Sequence, residues 1–355
     1  MTRSLADGIR LYATALVITV VTGAPMNWTI IVLGVAMIVY TMRGGVSAVI
    51  WTDVVQLFVY VAGALLVFGS LLSQIDGGWS AVMAAGSAAN KFQVMNFSLQ
   101  PSAVYTIWTG LLGGVALTLS THGTDQYLVQ RLLSAKSLKD AQRGLVVSGF
   151  IVFIQFVLFL LIGVMLYTYY QQTPLPAPLG RNDEILPLFI IHSLRNGAAG
   201  FIVAAIVAAA LSPSINAMAA TTVNDFYVKY VRSDADDATL LRVSKIATVF
   251  WGVVQIGVAL GAQTMNRSVL DAGLAVLSLA SGSVLGAFII GTLMPRVTSP
   301  AMLSGMIAGL AAMFGVWLWT PIAWTWYSFI GAGMTVAVAW MLSFVFAPSP
   351  SHAEP

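Results

Sequence analysis

Ten apolar runs, each close to the length a helix needs to cross hydrocarbon, constrain this chain more than any motif in it. A bilayer core takes roughly 20 residues of α-helix to span. No water there satisfies backbone N–H and C=O groups, so only helices or a closed barrel can cross. Barrel strands alternate apolar and polar side chains over about ten residues, and these runs do not alternate. The pattern predicts spans at 5–23, 28–42, 50–73, 103–124, 144–169, 197–222, 243–262, 271–294, 299–319 and 323–346. The fold class expected is therefore an all-α polytopic membrane protein. Turn residues mark the breaks, at Gly23-Ala24-Pro25, Arg43-Gly44-Gly45, Asp76-Gly77-Gly78 and Thr173-Pro174-Leu175-Pro176. Two connections are longer, at 74–102 and 170–196, and the apolar run Ile185–Ile191 in the second predicts a short helix lying on the membrane surface. Residues 1–346 read as a single transmembrane domain and 347–355 as a short tail.

Composition agrees. Of 355 residues, 58% are hydrophobic and 8% charged, against about 25% charged in a soluble domain. So few polar residues cannot cover the outside of a water-soluble protein of this length. That excludes a cytosolic enzyme, and a net charge of +3 is too mild to mark a nucleic-acid partner. With no cysteine, disulfides and thiolate chemistry are excluded. Placing the first residue in the cytoplasm puts twelve Lys and Arg inside and leaves Lys91, Arg181, Arg195 and Arg267 outside. This positive-inside bias sets the orientation, and ten spans return the C-terminus to the cytoplasm. The opening resembles a signal peptide, but nine further spans follow it, so it reads as the first helix.

Polar groups at membrane depth cost several kcal/mol unless paired, so each is a functional candidate. Leu119-Ser120-Thr121-His122-Gly123-Thr124-Asp125-Gln126 closes the fourth span. Its hydrogen-bonding side chains around Gly123 predict either an unwound turn or a polar cytoplasmic helix end. Leu211-Ser212-Pro213-Ser214-Ile215-Asn216 lies within the sixth span. Pro213 lacks an N–H and crowds the carbonyl of residue 209, so a kink is expected there. Either that carbonyl serves a cation together with Ser212 and Ser214, or the kink serves packing alone. Asp53 begins the third span, where an acid complements the helix dipole or takes a functional role. His192 and the Trp and Tyr residues near span ends read as interfacial anchors. The sequence has no His-Glu-x-x-His, no phosphate-binding glycine loop and no serine nucleophile elbow, so no enzyme is indicated.

At these points the chain resembles the sodium:solute symporter family, whose members move sugars, proline, monocarboxylates and vitamins. Four stretches carry the likeness: Arg43 to Gln56, Thr124-Asp125-Gln126 through Lys139, Ala205 to Tyr227 and Ser281 to Gly291. The resemblance implies a leucine-transporter-type fold of two inverted five-helix repeats. On that template the ten spans are core helices three to ten plus two more, and the first core helix would precede Met1. It implies symport of a small solute with sodium as the coupling ion and no cofactor. The solute is expected at Thr118, Thr121 and His122, with Gly123 and Asp125 shaping the break. Sodium is expected near Ile206, Ala209, Ala210, Ser212 and Ser214, with Pro213 at the kink and Asp53 on the ion's way out. The family's hydroxyl ligands stand as Ala209 and Ala210 here, so either freed carbonyls and the shifted serines hold the ion or sodium coupling is weakened or lost. The lysine and amide of the sugar transporters are replaced by Val152 and an apolar side chain near Leu274. A carboxylate, amino acid or vitamin-like solute therefore fits better than a sugar. An inactive or truncated symporter, and a sensor of the same fold, are the alternative expectations.

Overall fold

A helix is the one structure in which a single segment satisfies its own backbone in hydrocarbon, and the apolar runs fold accordingly. The computed structural model describes residues 2–42, 46–210, 214–265 and 268–346. In chain order the helices are α1 (Thr2–Thr22), α2 (Met26–Thr41), α3 (Val46–Gln74), α4 (Gly78–Ala88), α5 (Val115–Thr124), α6 (Gln126–Leu133) and α7 (Leu138–Gln172). They continue as α8 (Ile185–Ser193), α9 (Asn196–Ala210), α10 (Ser214–Thr221), α11 (Asp237–Ala262), α12 (Val269–Leu293), α13 (Ser299–Trp319) and α14 (Tyr327–Ser343). A wide π-helical segment, Thr109–Gly114, leads into α5, and a second, Thr222–Val231, continues α10. Among the described residues seven helices are long and apolar enough to cross a membrane, while α2 and α9 are shorter apolar helices.

Among the described residues helices occupy every expected span, and two details differ from expectation. The connection 74–102 holds α4, whose Val82 and Gly86 are buried. The fourth span starts later than residue 103, because Thr106 caps it. Thr109 N donates to Thr106 Oγ1 at 3.2 Å and Thr106 N donates to Thr109 Oγ1 at 2.9 Å. This is a reciprocal cap that satisfies two otherwise orphaned donors. The short helix expected over Ile185–Ile191 is α8, which buries Pro187, Leu188, Phe189 and Ile190.

The chain divides into two units by packing, one built from Met1–Ala6, Val94–Ala135 and Leu270–Pro355, the other from Asp7–Gln93 and Lys136–Val269. In the second unit, Ala64, Val67 and Leu71 of α3 meet Ile162, Met165 and Tyr169 of α7, with Phe189 and Ile190 of α8 and Ile202 of α9 closing the cluster. Tyr169 lies edge-on to Phe189, ring centroids 5.2 Å apart. The opposite side of α7 stays open: Phe150, Phe153, Ile154 and Leu160 are each about two-thirds exposed. Such a continuous apolar face is what a lipid-contacting helix presents.

In the first unit, α13 and α14 pack along their lengths, and Ala275, Met313, Trp324 and Tyr327 form a buried cluster. The turn between them is pinned by Ala323 N donating to Pro101 O at 2.9 Å and Thr325 Oγ1 donating to Val104 O at 3.1 Å. Nearby, Asp271 accepts from Tyr105 Oη at 2.6 Å and from Trp324 Nε1 at 3.1 Å. Close approach of α12 to α14 requires Gly282: a Cβ there would lie 2.5 Å from Ser328 O and 3.0 Å from Ser328 Cα. Membrane helices use such small residues to bring backbones together. Gly282→Ala is expected to cost about 1–3 kcal/mol by overpacking and to lower the thermal midpoint in detergent. Gly333, which has open space at its Cβ position, is the control; its change to alanine should be neutral or stabilise by up to about 1 kcal/mol.

Candidate functional site

The polar stretch Leu119–Gln126 stays helical further than expected. α5 runs unbroken through Thr121, His122 and Gly123 to Thr124, and the break falls at Asp125, whose φ of −76° and ψ of 110° are extended. The reason lies in its hydroxyls. Thr121 Oγ1 donates to Leu117 O at 3.0 Å and Thr124 Oγ1 donates to Ser120 O at 2.7 Å. Hydroxyls that bond the carbonyl one turn back are satisfied within the helix and need no unwound backbone. Asp125 then opens the next helix, its carbonyl accepting from Leu128 N and Val129 N.

Thr118, Thr121 and His122 share one face, being spaced i, i+3 and i+4. His122 Nδ1 lies 3.2 Å from Thr118 O and 3.2 Å from Thr121 Oγ1. With the proton on Nδ1 the ring donates to that carbonyl, and the three candidates form one connected patch. The opposite side of the same rod carries Gly113, Ala116 and Ser120, all buried. At Gly113 the backbone touches Thr325 O, leaving no room for a side chain. Gly113 lies within the π-helical segment 109–114. Wide turns of this kind recur at functional places in helices, and the sequence pattern did not signal it.

The ion candidates lie in the other unit. Ile206 is half-buried on α9, and Ala209 and Ala210 form that helix's last turn. Ser214 opens α10. Ser212 and Pro213, and with them the expected kink, lie outside the described residues, as do the side chains of Ala209, Ala210, Ser214 and Asp53. The cap reading of Asp53 is corrected. α3 begins at Val46, which puts Asp53 in its third turn, and the dipole's benefit fades within the first. Downstream, the second π-helical segment is held by Trp251 Nε1 donating to Thr222 Oγ1 at 2.9 Å, while Thr222 Oγ1 donates to Met218 O at 2.8 Å. The first π-helical segment therefore sits on the span expected to hold the solute, and the second begins at the last residue of the span expected to hold the ion.

Sequence reasoning passed over two separate ion pairs that involve α1. Arg3 Nη1 donates to Asp125 Oδ2 at 2.8 Å, and the two side chains are 22% and 20% exposed. Asp7 is buried, with Arg10 Nη1 3.8 Å from its Oδ1. The signal was available: an acid and a base three residues apart inside an apolar run. In α11 the amide of Gln255 is fully buried, and among the described residues neither its oxygen nor its nitrogen has a hydrogen-bond partner. Arg3→Ala and Asp125→Ala should each lower the thermal midpoint, with a coupling of about 0.5–1 kcal/mol in a double-mutant cycle, discounted for partial exposure. The charge-exchanged pair Arg3→Asp with Asp125→Arg should recover most of it.

Known proteins resemble this chain along nearly its whole length. A solved structure described as the substrate-bound outward-open state of a Na+-coupled sialic acid symporter superposes with a TM-score of 0.82 at 27% identity, covering 98% of this chain and 75% of that one. The likeness supports the leucine-transporter-type fold. The sodium/iodide cotransporter of Homo sapiens is 32% identical over 91% of this chain and 50% of its own length. The sodium-coupled monocarboxylate transporter 1 of Homo sapiens is 32% identical, over 90% and 52%. The sodium/sialic acid symporter of Proteus mirabilis is 28% identical, over 95% and 69%. The chain thus spans about half the length of the two human relatives. These relatives are transporters and not enzymes. The profile of the sodium:solute symporter family matches residues 6–309, an interval that holds both π-helical segments, the Asp125 break and every candidate residue named above, and to that family of multi-pass membrane transporters the chain belongs.

Proposed function

We propose that this chain carries out sodium-coupled symport of a small organic anion across the cytoplasmic membrane by alternating access, with both termini in the cytoplasm. The observation that carries the reading is the 0.82 superposition, over 98% of the chain, on a Na+-coupled symporter. Iodide, sialic acid and monocarboxylates, the solutes named for the relatives, are all anions at neutral pH, which favours an anion here. Residues 1–346 act as one transporter domain with the bilayer as solvent, and no nucleic acid or resident cofactor is involved.

In this reading Thr118, Thr121 and His122 receive the solute. Hydroxyl groups and an imidazole N–H are donors, suited to a carboxylate. Gly123, which follows His122, and Asp125 shape the end of the helix below that face. Sodium is held by backbone carbonyls around Ile206, Ala209 and Ala210 with the hydroxyls of Ser212 and Ser214, beside Pro213; neutral oxygens of this kind suit a hard monovalent cation. Asp53 lies on the ion's path to the cytoplasm. The sodium gradient drives uptake because ion binding favours one conformation over the other.

Proteoliposomes holding the purified chain should accumulate labelled lactate, iodide or sialic acid above equilibrium when sodium is outside, and should not when choline replaces it. His122→Ala with Thr121→Ala should reduce uptake at least tenfold. Equal uptake of all three probes with and without the sodium gradient would overturn the reading.

A further inference from the structure

The face of α5 that carries Thr118, Thr121 and His122 is only as well aimed as the helix's rotation about its own axis. With 100° per residue, Ser120 lies about 160° round from Thr118, on the side that packs into its unit. There Ser120 Oγ donates to the backbone carbonyl of Ser281 on α12 at 2.8 Å. The side chain of Ser281 is in turn 2.9 Å from Ser328 Oγ on α14, and all three serines are buried. Thr121 and Thr124 spend their hydroxyls on α5's own backbone. Ser120 is different: its hydroxyl leaves the helix, and its bond joins residues 161 apart in sequence. The other groups on that side, Gly113 and Ala116, have no hydrogen-bonding side chain, so they limit approach without setting rotation. Ser281 is itself fixed on two sides, by Ser328 and by the tight seat of Gly282 against Ser328 O, so the carbonyl that Ser120 meets is a rigid reference.

We propose that Ser120 is a positioning residue: through the carbonyl of Ser281 and the hydroxyl of Ser328 it fixes the rotation of α5 and so aims the Thr118–Thr121–His122 face at the solute. The proposal rests on the solute-site reading given above, and its test separates the two. A hydrogen bond inside hydrocarbon has no water to replace it, so its loss leaves the Ser281 carbonyl with its helix bond alone and frees α5 to turn.

The chain has no cysteine, so one introduced thiol reports without background. Thr118→Cys on the proposed solute face and Leu119→Cys, 100° round from it, should react with a membrane-impermeant thiosulfonate at rates differing at least tenfold. Adding Ser120→Ala should reduce that ratio severalfold, and Ser120→Thr, which keeps the hydroxyl, should preserve it. In uptake of labelled lactate, iodide or sialic acid, whichever the parent carries, Ser120→Ala should raise KM roughly fivefold with the maximal rate within twofold, and Ser120→Thr should restore KM. Melting in detergent shows that each variant is folded. An unchanged labelling ratio in Ser120→Ala overturns the positioning role, and so does a loss of maximal rate with KM unmoved. A changed ratio in a chain that carries none of the probes leaves positioning standing and overturns the solute-site reading instead.

Discussion

Hydrocarbon supplies no hydrogen-bond partner, and the arrangement of this protein follows from where its polar groups find one. Along most spans the answer is the helix itself. At α5 the same rule reaches the side chains: Thr121 and Thr124 turn back to carbonyls one turn below. A stretch of polar residues that would open a helix in water therefore stays wound in lipid, and the chain breaks only at Asp125, an acid that meets Arg3 and caps α6. Ser120 finds its partner on another helix, and that bond ties α5 to α12.

Packing follows the same economy. Between α12 and α14 the contact is made by Gly282 against a backbone carbonyl and by paired serines, because apolar side chains gain nothing by leaving lipid for each other. In the other unit the large side chains of α3, α7 and α8 interlock, while the outer face of α7 is left to the bilayer.

Much of this was legible in the sequence, because the length and lack of alternation of an apolar run decide between helix, strand and loop almost unaided. The family was legible too, from four motifs whose order and spacing lie within the matched interval 6–309. What escaped was local. Leu119–Gln126 looked like a place to unwind because its hydroxyls were counted as liabilities; their bonds to i−4 carbonyls make them compatible with a helix. Asp53 looked like a first-turn acid because the start of α3 was set too late. The π-helical segments 109–114 and 222–231 leave no periodic signature, since they depend on partners far along the chain such as Thr325 and Trp251. The same holds for Ser120, whose importance comes from a residue 161 positions away.

The helix that bears the proposed solute face is continuous to Thr124 and interrupted at Asp125. Hydrogen–deuterium exchange across 115–133, read by mass spectrometry in nanodiscs, measures this most directly. Slow exchange through Thr124 with a sharp rise at Asp125 and Gln126 is the result expected; rapid exchange beginning at Leu119 or Ser120 would contradict it.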